Sequence, residues 1–316
     1  MDGIKRTRFK FHGSGSALFG IYFLNLIFVI LTLGLYYPWA RAKLIQYFYG
    51  ETELEGSRFQ FHGTGKEMFL GFIKAVAVVA FLYAALFAAQ LSGIAAVRIG
   101  AFALYFLVFI AIVPFAIHGA LRYRLSRTSY KGIHFGYRGN LKELVVLFVK
   151  GTLLSIITLG IYGPWFEAAY RQYTIGKIRV GNASLEYDGG GNTLFLIHFK
   201  GIVFSILTLG VYVFWYIKNL YHFQINHVKI QQGNTSFRLN TSVTAGDVFA
   251  ITIATYAALF TLGLALPWAV VYSYRVILNS ISIEEGFDPE QLEQTEEDYN
   301  DATGEDLTDM LDIGMV

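Results

Sequence analysis

Cysteine is absent from the 316 residues, which excludes disulfides, thiolate metal sites and cysteine nucleophiles. Charge is scarce too. Asp, Glu, Lys and Arg make up 15% of the chain, against about a quarter in a soluble domain. There is no HExxH, GxSxG or Walker-type loop, so the motifs of zinc peptidases, serine hydrolases and nucleotide-binding proteins are missing. The charge present is unevenly placed. Residues 284–312 hold 13 of the 23 acidic side chains and no Lys or Arg follows Arg275, leaving 25 basic against 10 acidic residues elsewhere. Such a composition reads 284–316 as a solvated, disordered tail. The alternative is an arm that docks on the basic surface or recruits a protein partner.

Apolar runs take the place of charge. They are Ala17–Tyr37, Met68–Leu91, Gly100–Ile117, Leu144–Trp165, Thr193–Tyr216 and Val248–Tyr272. Several reach about 20 residues, enough to cross a hydrocarbon core about 30 Å thick. They lack strict alternation and exceed the roughly 9–11 residues of a membrane barrel strand. The expected fold is an all-α transmembrane bundle of about six apolar helices, some re-entrant or interfacial, with short β-hairpins at the membrane surface. The basic N-terminus MDGIKRTRFKFHG precedes an apolar run longer than a signal h-region, which reads as an uncleaved first helix.

The runs end alike: TLGLYYPW at 32–39, TLGIYGPW at 158–165, TLGVYVFW at 208–215 and TLGLALPW at 261–268, with Thr and Trp seven apart each time. Gly34, Gly160, Gly210 and Gly263 permit departure from helical geometry. Pro38, Pro164 and Pro267 break a helix yet suit the first turn of a new one. Trp39, Trp165, Trp215 and Trp268 suit the headgroup level. These residues define a structural joint from which an aromatic-basic helix starts.

Hairpin-like stretches follow, TELEGSRFQFHG at 52–63, GKIRVGNASLEYDG at 176–189 and HVKIQQGNTSFRLN at 227–240, with a degraded copy, YKGIHFGYRG, at 130–139. Aligning Phe9, Phe59, Phe135, Leu185 and Phe237 gives five units spaced by 50, 76, 50 and 52 residues, bounded at about 9–58, 59–134, 135–184, 185–236 and 237–283. They form one repeat-built transmembrane domain over 1–283. If each run crosses once, successive hairpins alternate sides, with about 9 Lys and Arg in inside loops and 13 outside, against the positive-inside rule. If units return through their aromatic-basic halves, all hairpins share one face. Both topologies stay open.

The TLGxYxPW repeats, with FQFHGTG and TLGLYYPWARAKLIQYFYGETELEGSRFQFHG, resemble the YjgN-like family of bacterial multi-pass inner-membrane proteins, classed as a domain of unknown function. The likeness covers roughly 8–283. It implies the inner membrane as location and no activity, so no catalytic residues carry over.

Candidate ligand-binding residues are few. Lys150 and Lys200 sit in KGTLLSIITLG and KGIVFSILTLG, five residues before Ser155 and Ser205. An intramembrane Lys costs about 2.5–3.5 kcal/mol and is a functional hypothesis by default. Against that, Lys150 lies about 22 Å along a helix from Trp165 and could snorkel to an interface. His12 and His62 share one slot in two copies, as pH-sensing or ligand contacts or as strand-end residues. His222 and His227, five apart, do not share a helical face and make a poor metal site. GSGS, GTGK and GGGN read as helix caps. Glu167 should pair with Arg171, four residues on.

The expectation is a transporter or channel-like component for a small, anionic solute. Its alternative is a non-catalytic scaffold or lipid-binding envelope protein. Neither is an enzyme, and neither needs a cofactor, metal or nucleic acid; the bilayer and its anionic headgroups are the expected partners.

Overall fold

The computed structural model describes residues 7–295. A strand, two helices and a strand recur five times. The sets are β1 (Thr7–Phe11), α1 (Gly15–Leu31), α2 (Tyr37–Gly50), β2 (Thr52–Leu54); β3 (Ser57–Phe61), α3 (Gly65–Leu91), α4 (Ala95–Ser126), β4 (Thr128–Tyr130); and β5 (Ile133–Tyr137), α5 (Leu141–Ile157), α6 (Gly163–Gly176), β6 (Ile178–Val180). Then come β7 (Ala183–Tyr187), α7 (Gly191–Leu207), α8 (Val213–Asn226), β8 (Val228–Gln232); and β9 (Thr235–Thr241), α9 (Ala245–Phe260), α10 (Leu266–Asn279), β10 (Ile281–Ile283).

An all-α bundle with separate surface hairpins is not what forms. The ten strands make one closed antiparallel barrel, β1 pairing with both β2 and β10. The physical reason is that a lone hairpin is marginal in water and an open sheet leaves an unpaired edge, which closure removes. Nor are there six crossing helices. Among the described residues α3 and α4, of 27 and 32 residues, are long and apolar enough to span a bilayer, whereas α1, α7 and α9 are apolar but have at most 17. Seventeen residues rise about 25 Å, short of a core about 30 Å thick.

The barrel follows from two-residue alternation. In β1, Thr7, Phe9 and Phe11 turn inward while Arg8 and Lys10 are exposed. In β3, Phe59 and Phe61 turn inward while Arg58 and Gln60 are exposed. Phe9 stacks on Phe59 at 6.2 Å, Phe59 meets Tyr130 at 4.9 Å, and Tyr130 Oη donates to the Leu54 carbonyl at 2.7 Å. Helices leave one end of the barrel and the hairpin turns lie at the other. There Glu55–Gly56 and Lys131–Gly132 take positive φ at both residues, as tight hairpins require.

Residues 284–295 cross this turn end. Phe287 and Leu292 are buried with Leu54, Ile133 and Ile283. The strap is pinned by Asn182 N to the Glu293 carbonyl at 2.9 Å, Thr295 Oγ1 to the Gly181 carbonyl at 2.6 Å and a Lys131–Glu290 ion pair. The remainder of the acidic stretch, 296–316, lies outside the described residues.

Neighbouring helices pack side by side around a complete ring, α10 returning to α1. The joint tryptophans close its seams. Trp39 lies over Gly65, Trp165 over Gly191 and Trp268 over Gly15, where only a hydrogen leaves room for the indole. At the α8–α9 seam Phe214 meets Phe249 edge-on at 5.1 Å instead.

Candidate functional site

The repeated TLG stretch is a reversal, since each helix pair leaves the barrel and returns to it. Leu33, Leu159, Leu209 and Leu262 sit at φ of 50–54°, each followed by a Gly at 84–92°. The tip backbone is nearly saturated with hydrogen bonds. Thr32 Oγ1 donates to the Phe28 carbonyl at 2.7 Å and accepts from Tyr36 N at 2.9 Å, ending one helix and starting the next. Gly34 N reaches back to the Val29 carbonyl at 2.7 Å. Every amide from Thr32 to Tyr37 donates, and the tips at 158–163 and 208–213 repeat the pattern. At the fourth tip Thr261 Oγ1 accepts from Ala265 N at 2.9 Å. Yet the tip leucines are exposed by 94%, 93%, 96% and 97%.

At the other end of the ring a chamber of about 630 Å³ runs from the helices into the barrel. Its barrel walls are Phe9, Phe59, Phe135, Leu185, Ile230 and Leu239, and Phe287 and Leu292 of the strap are its floor. Arg41, Leu44, Ile45 and Phe48 of α2 line it, falling on one helical face by their spacing. Arg124 at the end of α4 joins them, with Tyr22, Tyr49 and Tyr274. Arg124 Nη2 donates to Tyr49 Oη at 3.2 Å, whereas Arg41 has no hydrogen-bond or ion-pair partner among the described residues. Among the described residues no Asp or Glu lines the chamber.

The candidate residues from sequence do not converge here. Lys150 and Lys200 are exposed on different hairpins; Lys150 borders a groove between α5 and α6 that Lys200 does not reach. Ser155 Oγ donates back to the Gly151 carbonyl at 2.8 Å, and Ser205 Oγ is buried without a hydrogen-bond partner among the described residues. His12 Nε2 meets Glu53 at 2.8 Å, whereas His62 Nε2 meets Ser129 Oγ at 2.8 Å, so one slot has two environments. Burial, then the charges of His134 and Arg127, hold His62 below its ordinary pKa. Burial also raises Tyr187 to about 12. His222 Nε2 and His227 Nδ1 bond the separate carbonyls of Val243 and Phe223. Ser14 and Thr64 cap α1 and α3 through their side chains, and Gly190 caps α7 without one.

Glu167 accepts from Arg171 Nε at 2.9 Å and also from Gln224 at 3.0 Å, with His198 Nε2 at 3.6 Å. His198 Nδ1 meets Tyr216 Oη at 2.6 Å. This polar knot ties α6, α7 and α8 together. Sequence reading finds only its i,i+4 pair, because the rest joins residues 18 to 57 apart. It also passes over the chamber, since Arg41 follows Trp39 and reads as a flanking interfacial cation.

A family model described as a bacterial protein of unknown function (DUF898) matches residues 6–217 and 216–310. The chain is 27% identical over 175 residues to the inner membrane protein YjgN of Salmonella typhimurium strain LT2, covering 51% of this chain and 42% of the relative. It is 32% identical over 149 residues to the YjgN protein of Escherichia coli O157:H7, covering 47% and 35%. For Escherichia coli K12 the identity is 32% over 134 residues, covering 42% and 32%. The chain thus spans less than half the length of each of these curated relatives. No solved structure matches it.

Proposed function

The chain belongs to the DUF898 family of bacterial proteins, and on that footing we propose a multi-pass, non-catalytic protein of the inner membrane that works by binding lipid. Its helical ring is inserted in the bilayer, α3 and α4 cross it, and the barrel stands at the cytoplasmic surface. The relatives' name, inner membrane protein, supports the location.

The observation that carries the reading is the pairing of exposed leucine with tip amides that all donate at three of the four tips. In hydrocarbon no water satisfies peptide groups, so each must be bonded internally. Tips that bond every amide from 32 to 37, 158 to 163 and 208 to 213 while exposing leucine suit lipid, not water. The Ser92–Ile94 link between α3 and α4 differs. It carries a polar Ser92, whose Oγ donates to the Ala89 carbonyl at 2.8 Å, and its amide bonds are long, Ser92 N to the Ala89 carbonyl and Ile94 N to Ser92 Oγ at 3.4 Å each. Water on the far side suits that link. Lys and Arg outside the helices, such as Arg8, Lys10, Arg58, Lys131, Lys229 and Arg238, all sit at the barrel end among the described residues, and the 92–94 link has none. The positive-inside rule then favours a cytoplasmic barrel. Transport of a small anion is less well supported, since Lys150 and Lys200 share no cavity and the chamber is apolar with a floor.

Single cysteines in this cysteine-free chain test the reading. Replacements at Gln60, Glu186 and Asn234 should react with a water-soluble maleimide from the cytoplasmic side only, Ser92→Cys from the periplasmic side only, and Leu159→Cys and Leu262→Cys from neither. Tips that react from the periplasm would mean that the short hairpins cross. Barrel sites divided between sides would overturn the topology.

A further inference from the structure

We propose that the chamber binds one single-chain anionic amphiphile, its hydrocarbon seated in the barrel and its carboxylate or phosphate held by the chamber's two cations, Arg41 and Arg124. This deepens the lipid-binding reading and rests on it for the source of the ligand, the surrounding bilayer.

Three observations converge. The barrel part of the chamber is walled by aromatic and aliphatic side chains and has a floor, Phe287 and Leu292. Its volume of about 630 Å³ falls within the roughly 300–1,000 Å³ of sites that enclose one small ligand. That suits one chain better than the two of a membrane phospholipid. The lining has only one sign of charge: Arg41 and Arg124 belong to it, and among the described residues no carboxylate does. Most cations near the barrel have been matched, as Arg127 is by Glu67 at 3.3 Å and Lys229 by Asp188 at 2.7 Å. Arg41 lacks any such partner among the described residues.

A guanidinium at an apolar mouth is favourable when an anion bonds it there. Arg41 lies seven residues from Phe48 along the lining face of α2, about 10 Å, so an anion there is joined to the barrel wall by a continuous apolar path. Neutral lipid would leave both cations unmatched. A small anion would leave the walls unfilled.

The test uses the full chain in neutral detergent and displacement of a fluorescent fatty acid. Oleate and 1-oleoyl lysophosphatidate should compete at one molecule per chain, with oleyl alcohol at least about ten-fold weaker. The Arg41→Gln, Arg124→Gln double variant should lose about ten-fold for both anions and nothing for the alcohol. Leu239→Trp, which fills the barrel, should weaken all three. Ile230→Phe serves where that variant does not fold, with thermal unfolding as the check. Which of carboxylate and phosphate binds more tightly tells a free fatty acid from a lysophospholipid as the source. Equal affinity for oleate and oleyl alcohol, indifference to the arginine or barrel-filling variants, or competition by inorganic phosphate alone would each overturn the proposal. Tips shielded from maleimide with no amphiphile bound would sink it while leaving the membrane topology standing. Tips that label from water would remove the topology instead.

Discussion

Trp268 lies over Gly15 so closely that a β-carbon on Gly15 would stand 2.2 Å from the indole Cδ1. This contact joins the last helix pair to the first, residues far apart in sequence, and closes the ring. Gly15→Ala should therefore destabilise by about 1–3 kcal/mol through overpacking. Gly65→Ala should cost more, because there the obstruction includes the Trp39 backbone, its Cα 2.6 Å from the new atom, and backbone yields less than a ring. Gly20, in the same helix as Gly15, has nothing within 4 Å, so Gly20→Ala should stabilise by up to about 1 kcal/mol. Thermal unfolding of the three variants in neutral detergent would rank them; an equal loss in all three would show that the notches do not matter.

The tips make a second prediction. Thr158 Oγ1 accepts from Tyr162 N at 3.0 Å and donates to the Leu154 carbonyl at 2.8 Å. Thr158→Val keeps the shape and leaves that amide unbonded, at a cost of about 1–3 kcal/mol. Thr158→Ser keeps both bonds and should remain close to the parent. Equal midpoints for Val and Ser would mean that water already serves the tip, contrary to the proposed placement in lipid.

How much of this is legible in the sequence depends on the range of the interaction. The reversal is local, and its Thr, Gly and Pro stand within seven residues. Its sense as a return to the same side is harder to read, because the second helices carry Arg41, Arg171 and Lys218 and do not look like membrane segments. Closure of the barrel is not local at all. Thr7 pairs with Ile283, and β2, β4, β6 and β10 have three residues each, too few for alternation to speak. The candidate lysines stand out by chemistry alone. Arg41 acquires meaning only when α2 is placed beside Phe9 and Phe59.

Arg127, 2% exposed, is matched by Glu67 at 3.3 Å, and Glu67 also accepts from Tyr123 Oη at 3.0 Å and Thr64 N at 3.0 Å. Glu67→Ala leaves a buried guanidinium without this carboxylate, and such losses cost about 3–5 kcal/mol. Glu143 also pairs with a cation, Lys177 at 3.8 Å, but is 59% exposed. Glu143→Ala should change stability by no more than about 1 kcal/mol. Comparable effects of the two would remove the case for the buried pair.

His62 sets a pH dependence. Burial first, and then the charges of His134 and Arg127, depress its pKa below 6.5. Its neutral form is thus preferred when folded, and the unfolded chain binds the proton more readily. The contribution is complete above about pH 6.5 and is eroded as pH falls through that value towards the folded pKa. Asp188 is also depressed, by its bond to Lys229 and the charges of Lys229 and Arg238, which outweigh its desolvation. Its contribution is present above its ordinary 3.8 and is lost only as pH falls further. Unfolding midpoints at about pH 7.5 and 5.5 should therefore differ in the parent and differ less in His62→Gln. An unchanged difference would assign the dependence to another group.

The strap across the barrel's turn end makes the final prediction. The Glu293 carbonyl would stand 2.1 Å from a β-carbon on Gly181, whose φ of +55° also disfavours any other residue. Gly181→Ala should therefore lift the strap while leaving β1–β10 pairing, which ends at Ile283, intact. Truncation after Glu285 should do the same without touching a hairpin turn, because it removes Phe287 and Leu292 from the floor. Ile230→Cys, on the chamber wall, reports the result. Its reaction with a water-soluble maleimide should be slow in the parent background and several-fold faster in either variant. If Gly181→Ala accelerates it and truncation does not, the turn rather than the strap controls entry. If neither does, Phe287 and Leu292 are not what seals the barrel.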